Sequence, residues 1–481
     1  MGARAARRSR SGVLVTGNPQ SEGSRQRART TATPRQVAFD VLRAVADDDA
    51  YANLLLPTRL RRARLSGADA AFATELTYGT LRRRGHYDAV IALAAGRSIE
   101  AIDPVALDVL RLGAHQLLGM STPAHAAVGE TVELTRRARA ARTTGFVNAV
   151  LRTISRDVDA AWTARLLEGV TDPDARAGIL HAHPTWLVTA LSGALTREGR
   201  ETELEALLAA DNLPPRVTLA ALPGLSEPEG LGDRTPYSPV GARSAAGAPG
   251  AHPSVASGAA RVQDEGSQLA ALTLSRARPV VAGERWLDLC AGPGGKAALL
   301  AAEARGSGAV LTANEVVPAR AELVRKALHA VDLAVEVRVG DGRAIGALEP
   351  GSYDRILLDA PCTGLGALRR RPEARWRKTA ADVAPLAALQ GELLRSALRA
   401  LRPGGVLAYV TCSPHPDETT AVVDALLAEH PAEAAPLDAR AVLAGITRTP
   451  LDLGELAHGA AQLWPHRHGT DAMFIQLLTR R

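Results

Sequence analysis

The sequence predicts two folded parts of different class: an all-α domain over residues 34–160, and a doubly wound α/β domain with a mostly parallel sheet over residues 261–481. In the first part, apolar residues recur at the spacing of amphipathic helices. In the second part, short apolar runs alternate with helical stretches, which implies right-handed crossovers and a sheet covered by helices on both faces. A glycine-rich turn after the first apolar run is typical of such a sheet.

Composition limits the class of protein. With 481 residues, of which 46% are hydrophobic, the chain exceeds one ordinary domain and can form two or three cores. Three cysteines and no secretory segment predict reduced thiols and a cytoplasmic protein. No apolar run approaches the roughly 20 residues that a membrane span needs, so we expect a soluble protein with no membrane partner. The net charge of +6 only weakly favours a polyanionic partner over a solvated basic surface.

The N-terminal part begins with a basic segment, residues 1–33, which predicts a disordered tail that either solubilises the protein or grips RNA. The first helix is predicted to begin after Thr33, a capping residue that Pro34 follows in the first turn. The arginines at 82–84 end one helix, where they either complement its dipole or contact RNA. Further helices are predicted over 70–81, 87–95, 104–118, 127–137 and 144–154.

Residues 161–260 are predicted to connect the two domains. Helices continue to about residue 212, after which Pro, Gly, Ser and Ala dominate and few strands can be predicted. We therefore expect a Pro-, Gly- and Ser-rich small subdomain or insertion here, in which residues 223–257 are partly disordered.

Short apolar runs predict the strands of the α/β domain over 285–289, 309–313, 335–339, 353–358, 406–411 and 473–478. Ligands of doubly wound sheets bind outside the carboxyl ends of the strands. Because the candidate site residues follow predicted strand ends, we expect one site at this edge of the sheet.

The turn after the first strand combines three glycines with the start of a helix. Glycines allow close backbone approach, and a helix N-terminus attracts a carboxylate such as the methionine end of S-adenosylmethionine. Glu315 ends the second strand, where an acid can accept both ribose hydroxyls, and Asp341 follows the third, within reach of an adenine amino group. This pattern fits S-adenosylmethionine or NAD, although each feature alone is often a structural turn or cap. The predicted cofactor-binding residues of the turn are Cys290, Ala291, Gly292, Pro293, Gly294, Gly295 and Lys296.

Two cysteines follow neighbouring strands, Cys362 after the fourth and Cys412 after the fifth, so we expect both thiols in one cleft. We interpret the Cys290 side chain as a small buried hydrophobic group. Paired thiols beside a cofactor site suggest methyl transfer to a pyrimidine, because a thiolate that adds to carbon 6 makes carbon 5 nucleophilic. Asp359 is predicted to hold the exocyclic amino group and ring nitrogen of the flipped base and to touch the methionine end of the cofactor. Spacing leaves open which cysteine attacks.

An arginine cluster beside a tryptophan lies between the two cysteine motifs. Arginines neutralise phosphates and an indole stacks on bases, so the loop is predicted to contact RNA rather than to form a solvated charged face. The residues of this predicted contact are Arg369, Arg370, Arg371, Arg375 and Trp376. His466 and His468 have no partners at the spacing of metal ligands, so we expect no metal site.

The two cysteine motifs, Asp359–Gly364 and Thr411–Ser413, resemble those of bacterial ribosomal RNA cytosine-5 methyltransferases of the Sun/Fmu (RsmB) type. Glu75–Arg82 and Asn148–Arg152 resemble the NusB-type helical domain of the same family. The resemblance covers roughly residues 33–481. It implies an RNA-binding helical domain followed by a Rossmann-like methyltransferase domain.

The resemblance also implies an activity: methylation of a cytosine in 16S ribosomal RNA with S-adenosylmethionine, with Cys412 as nucleophile and Cys362 assisting product release. The Pro361–Cys362 dipeptide alone would favour Cys362 as nucleophile, by analogy with DNA cytosine methyltransferases. Ala472–Met473 replace the family's usual Gly-Phe, which we expect to affect packing more than chemistry. We expect a monomer. Alternatives are a transfer RNA substrate, and a non-catalytic RNA-binding or ribosome-assembly protein, against which the retained cysteines and Asp359 argue.

Overall fold

The computed structural model describes residues 32–48, 50–138, 140–245, 249–331 and 335–481. These residues form an all-α domain, a connector with a small sheet, and an α/β domain, which confirms the predicted fold class. Except for its last two residues, the predicted basic tail lies outside the described part of the chain. Among the described helices, none is long and apolar enough to cross a membrane.

The helices of the all-α domain, α1–α7, span Pro34–Asp47, Ala52–Ala63, Gly67–Arg82, Arg84–Ala95, Pro104–Leu118, Ala124–Arg137 and Thr144–Ile154. Helix α1 begins where the sequence predicts, because the Thr33 side chain accepts a hydrogen bond from the Gln36 amide and Pro34 occupies the first turn. Helix α5 lies at the centre of the bundle, and its residues 106–116 are all buried. The sequence did not predict α2, since Pro57 interrupts its helical pattern.

The connector consists of helices followed by an antiparallel sheet. Helices α8–α11 span Asp159–Leu166, Pro173–His181, Thr185–Arg197 and Leu204–Asp211, and α12 spans Pro253–Ala256. Strands β1–β4 span Thr218–Ala221, Gly232–Arg234, Gly241–Ser244 and Ala260–Val262, in the order β2-β3-β1-β4. Few strands could be predicted here from the sequence, whereas the structure has four. Strands of three or four residues, rich in Gly and Ala, are too short to show the alternating pattern on which strand prediction depends.

The α/β domain contains all six predicted strands. Its strands β5–β12 span Arg285–Asp288, Val310–Glu315, Glu336–Val339, Tyr353–Asp359, Leu401–Thr411, Ala434–Leu437, Ala461–Leu463 and Met473–Arg480. Its helices α13–α21 span Glu265–Ser275, Gly295–Ser307, Pro318–Leu328, Ile345–Leu348, Ala374–Arg377, Val383–Ala400, Thr420–Glu429, Ala439–Ile446 and Pro465–His468.

The order of the large sheet is β10-β12-β9-β8-β5-β6-β7, with β11 paired to β12. Five neighbouring strands of this sheet, β9, β8, β5, β6 and β7, run parallel to one another, whereas β12 runs antiparallel to β9. The chain leaves β5 for β6 on one side and later returns to β8 on the other side, so the strand order reverses between β5 and β8. Such a reversal opens a crevice at the carboxyl ends of the strands.

Candidate active site

The two cysteines that follow β8 and β9 meet at the carboxyl edge of the sheet. Their Sγ atoms lie 3.4 Å apart, and both residues are partly buried. The hydrogen bond from Cys362 lowers the pKa of Cys412, and nearby Lys296 and Arg371 also favour its thiolate. The same hydrogen bond, together with burial, raises the pKa of Cys362 well above its ordinary value. The opposite directions of the two shifts favour Cys412 over Cys362 as the thiolate of the pair.

Asp359, the last residue of β8, lies on the same edge. Its Oδ2 accepts a hydrogen bond of 2.8 Å from the Lys296 Nζ, which comes from the first turn of α14. This ion pair links the glycine turn to the cysteine site, since Lys296 also lowers the pKa of Cys412. The predicted residues of the turn and of the cysteine motifs thus share one site.

The glycine turn, residues 290–296, connects β5 to α14 and packs closely against Glu315 at the end of β6. Glu315 accepts hydrogen bonds of 3.0 Å from the amides of Gly292 and Val317. A Cβ on Gly292 would lie 2.2 Å from Glu315 Oε2, and Gly294 has a φ of +106°, so both positions require glycine. The Cys290 side chain is partly buried against the apolar core, and desolvation raises the pKa of its thiol.

Asp288 is a site residue that the sequence analysis missed. It ends β5 and is completely buried, and no donor among the described residues meets hydrogen-bond geometry at its carboxylate oxygens, although the Cys290 amide lies near enough to favour the ionised form. Burial raises the pKa of Asp288 to about 8, and the charge of Asp359 acts in the same direction, against the opposing effects of Lys296 and the Cys290 amide. An unpartnered buried carboxylate at this edge indicates a binding site for a hydrogen-bond donor or a cation.

Asp341 follows β7, as predicted, but has protein partners. It caps a short 3-10 turn by accepting a hydrogen bond of 2.9 Å from the Arg343 amide, and it forms an ion pair with the Arg343 guanidinium. Both side chains are about half exposed. A contact from Asp341 to an adenine amino group stays a prediction.

Comparison with known proteins assigns the family. A model described as NusB family matches residues 32–156, and a model described as 16S rRNA methyltransferase RsmB/F matches residues 278–479. Ribosomal RNA small subunit methyltransferase B of Pseudomonas syringae pv. tomato is 35% identical over 415 residues, which cover 82% of this chain and 86% of that protein. The chain belongs to the RsmB/F methyltransferase family.

Other relatives extend over nearly the whole chain. A putative methyltransferase of Mycobacterium tuberculosis is 50% identical over 468 residues, 96% of this chain and 99% of that protein. The probable ribosomal RNA small subunit methyltransferase B of Bacillus subtilis is 30% identical over 455 residues, 92% of this chain and 97% of that protein. The crystal structure of PH0851 superposes with a TM-score of 0.74 at 23% identity, covering 93% of this chain and 98% of that one, and shows the same fold.

RsmB/F methyltransferases use S-adenosylmethionine, and the residues present fit this cofactor. The unpartnered carboxylate of Asp288 fits its ammonium group, because burying a carboxylate without a partner is otherwise costly. The close packing of Gly292 and Gly294 leaves backbone rather than side chains at the start of α14. Among the described residues, no group of three metal-ligating side chains is arranged to hold a metal ion.

Arg375 and Trp376 join the RsmB/F catalytic domain to the helical parts. The burial of Arg375 contradicts its predicted RNA contact, whereas Trp376 is partly exposed and its contact stays a prediction. Arg375 is fully buried. The Trp376 indole donates to the Leu81 carbonyl at 2.7 Å, and its ring lies against Gly85. The Arg375 guanidinium donates to the carbonyls of Arg82, Ala182 and Asp211 and to Asn212 Oδ1.

Of the remaining arginines of the cluster, Arg369 and Arg370 also have structural partners. Arg369 is buried and donates to the Gly469 carbonyl at 2.8 Å, which contradicts its predicted RNA contact. Arg370 forms an ion pair with the buried Asp471. Arg371 is exposed, with its guanidinium 5.3 Å from the centre of the Tyr51 ring. The predicted RNA contact stays a prediction for the side chains that reach solvent, of which Arg371 is the most exposed arginine of the cluster.

The burial of the Asp288 carboxylate predicts that the stability of the protein depends on pH. The pKa of Asp288 is about 8 in the folded protein and 3.8 for an ordinary aspartate. Protonation of Asp288 therefore stabilises the folded protein fully below pH 4, and this stabilisation is lost as the pH rises to 8. We expect Asp288→Asn to stabilise the cofactor-free protein by about 1–3 kcal/mol at pH 8 and by less at pH 5. Thermal melting of both proteins across this range measures the difference. A difference independent of pH would contradict the protonation of Asp288.

Proposed function

We propose that this protein transfers a methyl group to carbon 5 of a cytosine in 16S ribosomal RNA through a covalent bond between Cys412 and the base. The observation that carries the proposal is the contact of 3.4 Å between two thiols of opposite pKa shift, beside a site that fits S-adenosylmethionine. A single buried cysteine would be explained by packing, but two thiols that share a proton require a chemical reason.

The proposed reaction begins with Cys412. Its thiolate adds to carbon 6 of the cytosine, which forms a carbon–sulfur bond and shifts electron density to carbon 5. Asp359, which is held by Lys296, is proposed to orient the base through its exocyclic amino group and ring nitrogen. Asp288, the start of α14, Glu315 and Asp341 would hold S-adenosylmethionine, which would supply the methyl group to carbon 5 and leave as S-adenosylhomocysteine.

Product release is assigned to Cys362. Its pKa is raised by the hydrogen bond and the negative charge of Cys412, in addition to burial. Once Cys412 is bonded to carbon 6, this charge and the hydrogen bond are gone, so the pKa of Cys362 falls and its thiol can release its proton to solvent. That thiolate accepts the proton of carbon 5, the carbon–sulfur bond breaks, and Cys412 leaves as a thiolate. Cys362 is then a thiol and Cys412 a thiolate again, and one proton has been released to solvent for each methyl group transferred.

The activity can be tested with purified protein, unmethylated 16S ribosomal RNA and S-adenosylmethionine that carries a deuterated methyl group. Nucleoside mass spectrometry should detect deuterated 5-methylcytidine with the wild-type protein and none with Cys412→Ala. Labelling of transfer RNA instead would overturn the proposed substrate. Labelling of cytidine at an atom other than carbon 5, or no labelling of any RNA, would overturn the proposed chemistry.

The exposed side chain of Arg371 leads to a separate prediction about RNA binding. Arg371→Ala should weaken RNA binding and reduce the slope of log K against log salt by roughly 0.7, as expected for one lost contact to single-stranded phosphate. Arg395→Ala is a matched control, because Arg395 is exposed but already paired with Glu429. Fluorescence anisotropy over a salt series measures both slopes. Equal slopes for Arg371→Ala and the wild type would remove Arg371 from the RNA contact.

A further inference from the structure

A completely buried carboxylate, Glu418, lies next to the two cysteine motifs. It ends a 3-10 turn that leads from β9 to α19. Glu418 Oε1 accepts hydrogen bonds from the Thr363 amide at 2.8 Å and from Gln390 Nε2 at 3.2 Å. Its Oε2 accepts from the hydroxyls of Thr363 at 2.5 Å and Ser413 at 2.6 Å. Both oxygens are fully used, so the burial of this carboxylate is compensated by hydrogen bonds.

The partners of this carboxylate are the residues that directly follow the cysteines. Thr363 follows Cys362, and Ser413 follows Cys412. Their hydroxyl oxygens lie 3.1 Å apart, and both donate to Glu418 Oε2, so one carboxylate oxygen joins the two cysteine-bearing turns. The Gly366 amide also donates to the Cys412 carbonyl at 2.8 Å, which adds a backbone link between the turns.

The hydrogen-bond donors that face Glu418 are neutral groups, so its negative charge is not cancelled by a direct ion pair among the described residues. This charge acts on Cys362, whose pKa it helps to raise. The other titratable groups that act on the two thiols are Asp359, Lys296, Arg371 and Tyr409. Tyr409 donates to the Glu418 carbonyl at 2.7 Å and is itself buried.

We propose that Glu418 is a positioning residue that joins the two cysteine-bearing turns and keeps their sulfur atoms in contact. This inference rests on the proposed function for its effect on catalysis, but the contact itself can be measured without RNA. Without Glu418, the two turns are joined mainly by the Gly366 amide and by the contact between the Thr363 and Ser413 hydroxyls, so the distance between the sulfur atoms is held less tightly. The Cys412 thiolate then loses the hydrogen bond that stabilises it.

The experiment uses Glu418→Gln, which keeps the size of the side chain and one carbonyl oxygen for the Thr363 amide, but places an amide nitrogen, which cannot accept, where Oε2 accepts from the Thr363 and Ser413 hydroxyls. Asp417→Asn is the matched control, because Asp417 is adjacent but exposed. Limited alkylation with iodoacetamide at pH 7.5, read by mass spectrometry for each cysteine, should modify Cys412 well before Cys362 in the wild type. In Glu418→Gln this preference should fall by about fivefold, as expected for a lost hydrogen bond.

Methyl transfer provides the second readout. We expect Glu418→Gln to lower kcat by about 100-fold, as for a small misplacement of reacting groups, with KM values for RNA and cofactor changed little. Glu418→Ala should lower kcat further, and unfolding of this variant would leave Glu418→Gln to decide. An unchanged alkylation preference in folded Glu418→Gln would overturn the proposal, whatever the activity. Loss of the alkylation preference in Glu418→Gln would support the role of Glu418 even if the wild-type protein did not methylate cytosine. In that case the proposed function would be wrong, but the positioning of the two cysteines by Glu418 would stand.

Discussion

Replacement of Cys412 by alanine is expected to abolish methyl transfer, by at least about 10⁴-fold, since removal of a covalent nucleophile leaves only binding and orientation. The variant should still bind RNA and cofactor, because Cys412 contacts Cys362 rather than the glycine turn. It should form no covalent adduct with RNA, because addition to carbon 6 never occurs. A denaturing gel with labelled RNA measures adduct formation, and the methylation assay measures turnover.

Replacement of Cys362 by alanine is expected to give the opposite gel pattern. Addition and methylation should still occur through Cys412, but carbon 5 keeps its proton and RNA stays attached to the protein as a slowly migrating band. The hydrogen bond that lowers the pKa of Cys412 is also lost, so addition should be slower at neutral pH and recover as the pH rises. An adduct in Cys412→Ala and none in Cys362→Ala would reverse the two roles.

Replacement of Arg375 by alanine is expected to have the largest effect on stability. The variant leaves three backbone carbonyls and one side-chain oxygen buried without their donor, at the junction of the helical domain, the connector and the catalytic domain. We expect a loss of about 3–5 kcal/mol, typical of breaking a buried charged network.

Urea unfolding and limited proteolysis measure this loss. Arg371→Ala is the control within the same loop, because Arg371 is exposed, and we expect it to change stability by less than about 0.5 kcal/mol. Faster cleavage between the helical and catalytic parts in Arg375→Ala would show that this residue joins them. Equal unfolding midpoints for the two variants would mean that the junction does not depend on Arg375.

The strands of the large sheet and the meeting of the two cysteines could be predicted from sequence for a physical reason. Strands buried on both faces form continuous apolar runs, as in β8 and β9, and their ends mark one edge of the sheet. Cys362 and Cys412 are 50 residues apart in sequence, but each directly follows such a run. The small sheet of the connector could not be predicted, because its short strands carry no such run.

The arginine cluster shows where prediction from sequence fails. A run of charges looks the same whether it faces solvent or backbone carbonyls, and the carbonyl of Arg82 that binds Arg375 lies 293 residues away in the chain. The roles of Asp288 and Glu418 could not be predicted from the sequence for a related reason. Their roles depend on complete burial and on the partners they have or lack, neither of which a local motif shows.

The central claim of this account is a covalent bond between Cys412 and carbon 6 of cytosine. RNA that contains 5-fluorocytidine tests it most directly, because fluorine at carbon 5 cannot be removed as a proton and the adduct persists. Arg369 and Arg370 lie between the two cysteines, so trypsin places them on separate peptides. We predict that mass spectrometry of wild-type protein incubated with this RNA and S-adenosylmethionine finds the methylated nucleotide on the peptide of Cys412. Its attachment to the peptide of Cys362, or the absence of any adduct, would contradict the account.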